Sequence, residues 1–195
     1  MSVVPDKEPV MGLNTGYVLV KGLSRDELLT RLGAKVGGPV ELPLSWKAPI
    51  SLGPTVQGWT IIGDPWGRVG DSPRRLVPLS RDATVISGCL QETTMYSQAV
   101  MYVDGRFRWK VFSDCSKPDE RGMHVISKGD APQSLAERIR RAREKELQTG
   151  GDHQFNVPLD LITEATGGVI SGRYPWHDEE EGVVYRELIF AGDDA

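Results

Sequence analysis

Three consecutive runs with strand character constrain the fold of this chain more than any other feature. The runs are Thr84–Glu92, Tyr96–Val103 and Arg106–Ser113. The last two are joined by Asp104-Gly105, a dipeptide favoured in two-residue hairpin loops because both positions tolerate the positive φ of a type I′ turn. These runs predict an antiparallel meander at the centre of the fold, and Met123–Ser127 is a candidate for a fourth strand.

A two-residue turn also predicts which residues face each other across the hairpin. The expected pairs are Val103 with Arg106, Tyr102 with Phe107, Met101 with Arg108 and Val100 with Trp109. On this register one face is apolar and carries Val100, Tyr102, Phe107, Trp109 and Val111. The other face is mixed and carries Ala99, Met101, Arg106, Arg108 and Lys110. Aromatic and β-branched cross-strand pairs contribute about 0.2–1 kcal/mol each.

The rest of the chain predicts further strands and three helices. The strands are Thr15–Lys21, Val56–Ile62 and Val183–Phe190, and the helices span 24–33, 132–148 and 158–166. The first helix has the clearest ends, because Ser24 and Glu27 form a capping box and Gly33 follows. Residues 40–54 are interpreted as irregular, with edge-strand pieces at most, since prolines interrupt them. Residues 66–78 are interpreted as a loop, and Gly88 as a strand bulge.

These elements predict one α+β domain over residues 1–195, with 1–13 as a loose lead-in and 192–195 as a tail. The expected architecture is an antiparallel meander sheet of about five to seven strands packed with two or three helices. A separate small N-terminal unit that ends near Pro54 is the alternative.

The overall charge bears on the kind of partner. The chain carries a formal net charge of −4, which argues against nucleic acid and suits either a basic protein partner or solubility alone. No apolar run approaches the roughly 20 residues that span a bilayer, and the N-terminus lacks a signal-peptide pattern. We therefore expect a cytoplasmic protein with no membrane partner and with reduced Cys89 and Cys115, although pairing of the two thiols stays open.

Candidate catalytic groups are few. Cys115 precedes His124 by nine residues, and one candidate role for the two is a catalytic nucleophile and its base. A free thiol that acts as a small hydrophobic residue is the favoured interpretation, because no third member or oxyanion element is visible. The histidines His124, His153 and His177 lack metal-ligand spacing, and the glycines form no phosphate-binding motif. The sequence therefore predicts no metal site and no cofactor.

Two charged segments are candidate contact surfaces. The segment Glu137–Lys145 is rich in arginine and could touch phosphates. However, its acidic residues can pair with arginines four positions away, which favours a solvated helix face.

The second segment lies near the C-terminus, where two aromatic residues stand beside a run of carboxylates. We predict it as a partner interface made of Tyr174, Trp176, Asp178, Glu179, Glu180 and Glu181. Large rings anchor protein interfaces while charges steer the encounter. A solvated acidic loop is the alternative.

Two segments carry a resemblance to a known group of proteins. The first is Gly22–Ala34, a capped helix that follows a short strand, and the second is Gly58–Gly63, a strand entered by Gly-Trp-Thr. With the later Asp-Gly hairpin, this layout resembles small uncharacterised bacterial α+β proteins of the immunity-protein style. The resemblance covers about the first two thirds of the chain and implies binding to, and blocking of, a toxin. Its motifs are structural, so no functional residue is carried over.

The function predicted from the sequence is therefore non-catalytic protein binding, in which an immunity or antitoxin-like factor occludes a partner such as a basic toxin domain. Two alternatives stay open. One is an enzyme whose site is assembled from scattered residues, first among them Asp64, Arg68, Asp114 and His124. The other is a small-molecule binding module on the sheet face that bears Met101 and Arg108.

Overall fold

The computed structural model describes residues 14–41, 47–115, 124–173 and 184–191. These residues form one antiparallel sheet and four α-helices, a mixed α+β architecture. The strands are β1 (Asn14–Lys21), β2 (Ala34–Val40), β3 (Ser51–Val56), β4 (Trp59–Gly63), β5 (Thr84–Gln91), β6 (Tyr96–Val103), β7 (Arg106–Asp114), β8 (Val125–Gly129) and β9 (Tyr185–Phe190). The helices are α1 (Arg25–Leu32), α2 (Pro73–Leu79), α3 (Leu135–Thr149) and α4 (Val157–Ala165), with a short 3-10 helix at His153–Asn156. The sheet order is β2-β9-β3-β4-β1-β5-β6-β7-β8.

Helices pack on both faces of the sheet. Along β1, Tyr17 and Leu19 point into a core with α3 and α4, whereas Val18 and Val20 point into a core with α1 and α2. We call these sides the α3–α4 face and the α1–α2 face. A strand buried on both sides reads as a continuous apolar run, and full burial of such side chains stabilises the fold by about 1.5–3 kcal/mol each.

The predicted limits of α1 are confirmed. The Ser24 backbone N–H donates to Glu27 Oε2 at 2.9 Å, and the Glu27 N–H donates to Ser24 Oγ at 3.3 Å. The hydrogen bonds from Ser24 lower the pKa of Glu27. Gly33 ends the helix with a φ of 64°, a left-handed conformation that glycine adopts without steric cost.

The hairpin turn is confirmed, but the register beyond it is not as predicted. Asp104 and Gly105 have φ values of 52° and 71°, and Tyr102 lies opposite Phe107. The register then shifts, so that Met101 pairs with Trp109 instead of Arg108 and Val100 pairs with Lys110 instead of Trp109. Because one extra residue reverses the side-chain alternation, the predicted grouping of Trp109 and Val111 with Val100 and Tyr102 is wrong. Trp109 and Val111 belong to the α3–α4 core.

Three further expectations fail for non-local reasons. Residues 73–79 form α2 instead of a loop, because Leu76 and Leu79 are buried beneath it. β3 lies inside the sheet, and an irregular register between Leu52 and Thr55 accommodates its proline. Gly88 is not in a bulge, since β5 pairs regularly on both sides.

No helix in the described ranges is both long and apolar enough to cross a membrane.

Candidate functional site

The interface predicted near the C-terminus lies outside the described residues. Tyr174, Trp176 and the carboxylates of residues 178–181 all fall in the segment 174–183, so this interface stays a prediction. The described ranges contain 20 Lys and Arg against 17 Asp and Glu, whereas the remaining segments contain 3 against 10. The net acidity of the chain therefore resides in those other segments, and the described part is slightly basic.

The structure does not activate the Cys115 thiol. Burial raises the pKa of Cys115, the opposite of what a nucleophilic cysteine needs. The only side-chain hydrogen-bond partner it has among the described residues is the Ser113 hydroxyl, with 3.8 Å between Oγ and Sγ. His124 accepts a backbone hydrogen bond from Asp114 and donates its own N–H to Gln154. Among the described residues, no hydrogen bond joins the Cys115 and His124 side chains, and His124 Nδ1 is buried without a hydrogen-bond partner.

The four scattered enzyme candidates do not converge. The guanidinium of Arg68 lies 5.8 Å from the ring of Phe190 on β9, whereas Asp114 and His124 lie at the junction of β7 and β8. Five strands separate β9 from β7 in the sheet. At about 4.8 Å per strand, these groups are roughly 25–30 Å apart.

Asp64 organises the loop that leads into α2. Its buried carboxylate accepts backbone hydrogen bonds from Arg68 at 2.9 Å, Val69 at 2.8 Å and Gly70 at 2.7 Å. Burial raises the pKa of Asp64 even though the three N–H donors act in the other direction. The closed loop places Gly70 and Asp71 against β5 and β6, where both line cavities.

The most conspicuous unassigned surface is one half of the α1–α2 face. Among the described residues, the helix-packed α1–α2 core includes Val100 and Tyr102 of β6 but no side chain of β7 or β8. We call the surface that β6, β7 and β8 present on this side the open sheet face. Its side chains are the buried Gln98 and Tyr102, the half-buried Tyr96, Lys110 and Phe112, and the exposed Phe107, Ile126 and Lys128. Phe107 is 44% exposed and Ile126 is 49% exposed. Phe107 lies at one end of this face and Ile126 lies beside Phe112 at the other, with Lys110 and Lys128 between them. Exposed large apolar side chains on one surface indicate an interaction site.

The aromatic rings of the open sheet face are held in place by their neighbours. The rings of Tyr102 and Phe107 lie edge to face at 5.6 Å, and those of Tyr96 and Phe112 are 6.2 Å apart. The Lys110 ammonium lies 5.4 Å from the centroid of the Phe112 ring. Contacts of these kinds contribute on the order of 0.5–1.5 kcal/mol each, so the rings are ordered before any partner arrives.

Two lysines face each other on this surface. Lys110 on β7 is directly opposite Lys128 on the edge strand β8. Like charges in directly opposed positions destabilise a sheet. Partial burial lowers the pKa of Lys110, the nearby Asp71 carboxylate raises it, and the charge on Lys128 lowers it. Asp71 therefore compensates part of the repulsion, and a carboxylate from a partner would compensate the more exposed Lys128.

A polar groove borders the open sheet face. It has a volume of ≈ 340 Å³, and it adjoins a second cavity of ≈ 380 Å³ near Trp66, with Gly70, Asp71, Cys89 and Gln91 lining both. On its floor, Gln98 donates to Asp71 Oδ1 at 3.1 Å and accepts from the Tyr96 hydroxyl at 2.8 Å. These bonds fix three polar side chains in one orientation.

The Cys89 thiol and the Tyr96 phenol in this groove are protonated at neutral pH. Burial, followed by the charges of Asp71 and Asp64, raises the pKa of Cys89 to about 12. Burial, followed by Cys89 and Asp71, raises the pKa of Tyr96 to about 12. The Cys89 thiol can therefore donate a hydrogen bond in this groove, while the Tyr96 hydroxyl already donates to Gln98, and neither group is a base or a nucleophile at neutral pH. Within the described ranges, no three His, Cys, Asp or Glu side chains form a group that could hold a metal ion.

The small-molecule site predicted around Met101 and Arg108 stays a prediction. Met101 is partly buried against the α3–α4 core, and Arg108 lies at the register shift.

The open sheet face was missed because the sequence does not mark the register shift. The only available signal in the sequence for this surface was the alternation of Tyr96, Gln98 and Tyr102 along β6.

A comparison of the chain with protein-family models, with curated proteins and with solved structures finds no match.

Proposed function

We propose that this protein is a non-catalytic binding protein that docks a partner protein on its open sheet face and blocks it, in the manner of an immunity factor. The observation that carries the proposal is a set of apolar side chains on β7 and β8, the exposed Phe107 and Ile126 and the half-buried Phe112, that lie outside the helix-packed core of this face. Interfaces derive most of their affinity from a few such anchors.

Pre-ordering of the anchors favours tight binding. Phe107 is held against Tyr102, and Phe112 lies between Tyr96 and Lys110. Immobilising a free side chain on binding costs about 0.5–1.5 kcal/mol, and much of that cost is already met here. Covering the exposed apolar area contributes about 25 cal/mol per Å².

The facing lysines specify the chemistry of the partner surface. A partner with a carboxylate between two apolar groups would reach Lys110 and Lys128 with the carboxylate and would cover the apolar side chains at both ends of the face. Such a carboxylate removes a repulsion, which adds specificity as well as affinity. The basic partner expected from Glu179 and its acidic neighbours is a separate hypothesis about segment 174–183, and both contacts can belong to one partner.

The protonation state of the two thiols supports a binding function over covalent catalysis. Both Cys89 and Cys115 have a raised pKa. A thiol that holds its proton at neutral pH is a weak nucleophile. If the protein is instead an enzyme, we expect a catalytic activity that His124→Ala abolishes without disrupting the fold.

The test starts from the protein purified from its native cell, with the bound partner identified and then produced alone. Titration calorimetry should show Phe107→Ser with Ile126→Ser weakening the complex by about tenfold or more, since each anchor is worth about 1–2 kcal/mol. The matched control is Leu147→Ser, which changes an 81% exposed side chain on α3. Binding should also inhibit the activity of the partner.

Equal affinities for the double variant and the control would remove the open sheet face from the proposal. A second variant, Trp176→Ala with Glu179→Lys and Glu180→Lys, tests the predicted interface in segment 174–183 separately. Unchanged binding in that variant would remove the segment. A toxin-like reading frame next to the gene would support the immunity role.

A further inference from the structure

A second groove lies on the other side of the molecule, between α3 and α4. Its volume is ≈ 650 Å³, which falls within the roughly 300–1,000 Å³ of small-molecule sites. It shares no lining residue with the cavities beside the open sheet face. A ligand here would therefore occupy a site distinct from the docking surface proposed above.

Three basic side chains of α3 line this groove. Arg138, Arg141 and Lys145 recur at spacings of three and four, which places them along one side of the helix. A helix normally turns apolar residues towards a neighbouring helix. Arg173, which follows α4 in the chain, lines the same groove.

One of these cations is already oriented by α4. The Arg138 guanidinium donates to Glu164 Oε2 through Nε at 3.0 Å and Nη2 at 2.8 Å, and Asp160 lies 3.7 Å from its Nη1. The Ser134 hydroxyl donates to the same Glu164 carboxylate. Arg138 thus links the two helices and forms a fixed wall of the groove.

The other two α3 cations have unused donors. Arg141 donates through Nε to Glu137 Oε1 at 2.6 Å. Within the described residues, neither its Nη groups nor the Lys145 ammonium makes a hydrogen bond or an ion pair. Among the described residues, the groove is lined by four basic side chains and by two carboxylates, those of Glu137 and Asp160. Even with the Glu164 carboxylate that binds Arg138, the basic groups outnumber the acidic ones.

We propose that this groove binds a small phosphate-bearing molecule, with Arg141 and Lys145 as its phosphate contacts. A guanidinium presents paired N–H groups that match two phosphate oxygens, and an ammonium adds a compact charge. The volume leaves room for an organic group beside the phosphate. A free inorganic phosphate and a phosphate ester share this chemistry, so the test includes both sources.

Titration calorimetry at constant ionic strength tests the site with inorganic pyrophosphate and with ribose 5-phosphate. Arg141→Gln with Lys145→Gln should raise the Kd of at least one probe by about tenfold or more, because two charge-assisted hydrogen-bond donors are lost. The charge-matched control is Arg143→Gln with Lys35→Gln, neither of which lines the groove. It should change the Kd by less than about twofold. Thermal melts verify that both variants fold.

Three results would overturn the proposal. The first is a wild-type protein that binds neither probe at millimolar concentration. The second is an equal loss of affinity in the two double variants, which would indicate a general charge effect. The third is a short single-stranded RNA that binds far more tightly than either probe and depends on Arg141 and Lys145, which would make the groove a nucleic-acid contact.

Discussion

Met101 on β6 lies directly opposite Trp109 on β7, although the turn between these strands would by itself place Arg108 there. This one-residue shift decides which side chains the sheet buries and which it exposes. Trp109 enters the α3–α4 core, where it is 4% exposed. Lys110 and Phe112 consequently turn to the open sheet face.

The register shift predicts unequal costs for two aromatic truncations. Trp109→Ala should lower the free energy of unfolding by about 3–5 kcal/mol, as expected for a buried aromatic residue. Phe107→Ala should cost only about 1 kcal/mol, because the ring is half exposed and packs mainly on Tyr102. Urea unfolding measures both. Similar losses would indicate that the two rings share one environment, as they would without the shift.

Gly88 should tolerate no side chain. A Cβ at this position would overlap the ring of Tyr17, which is fully buried. Gly88→Ala is therefore expected to destabilise the protein by about 1–3 kcal/mol through overpacking. Gly38→Ala is the control, since a Cβ there meets nothing within 4 Å, and it should change stability by less than about 1 kcal/mol. A tolerated Gly88→Ala would argue against this packing.

The lysine pair predicts opposite effects on stability and binding. Lys128→Glu replaces a like-charged cross-strand pair with an attractive one, so the free protein should gain about 0.2–1 kcal/mol. The same change should weaken binding to the partner, because it repels the carboxylate that the lysines are proposed to receive. Lys35→Glu on β2 serves as the control. A stabilised variant that binds the partner as well as the wild type would remove the carboxylate from the proposal.

The Cys89 thiol should resist alkylation in the native state. Its pKa of about 12 lies above the ordinary value of 9.0, so the folded protein holds this proton more tightly than the unfolded chain does. The resulting stabilisation is fully present below pH 9 and is lost as the pH rises towards 12. Iodoacetamide at pH 8, with mass mapping, should modify Cys89 much more slowly than in urea. Equal rates would contradict the burial of the thiol.

Local chemistry explains what could be predicted from the sequence. The Asp104-Gly105 turn and the Ser24–Glu27 capping box depend only on neighbouring residues, and both occur in the structure. The shift at Arg108 depends instead on α3 and α4, which lie far along the chain and bury Trp109. Tertiary packing of this kind overrides local register preferences.

The polar groove beside the open sheet face, and that face itself, could not be predicted for a related reason. Asp71 and Gln98 are 27 positions apart and meet only because the Asp64 loop folds onto β5 and β6. The exposure of Phe107 and Ile126 reflects where α1 and α2 end, which no local pattern records.

Hydrogen–deuterium exchange of the purified complex tests the central claim most directly. If the partner docks on the open sheet face, the backbone amides of β6, β7 and the edge strand β8 should exchange more slowly in the complex than in the free protein. Amides of α3 around Leu147 should be unchanged. Protection confined to α3 and α4, with β7 and β8 exchanging as in the free protein, would contradict the account.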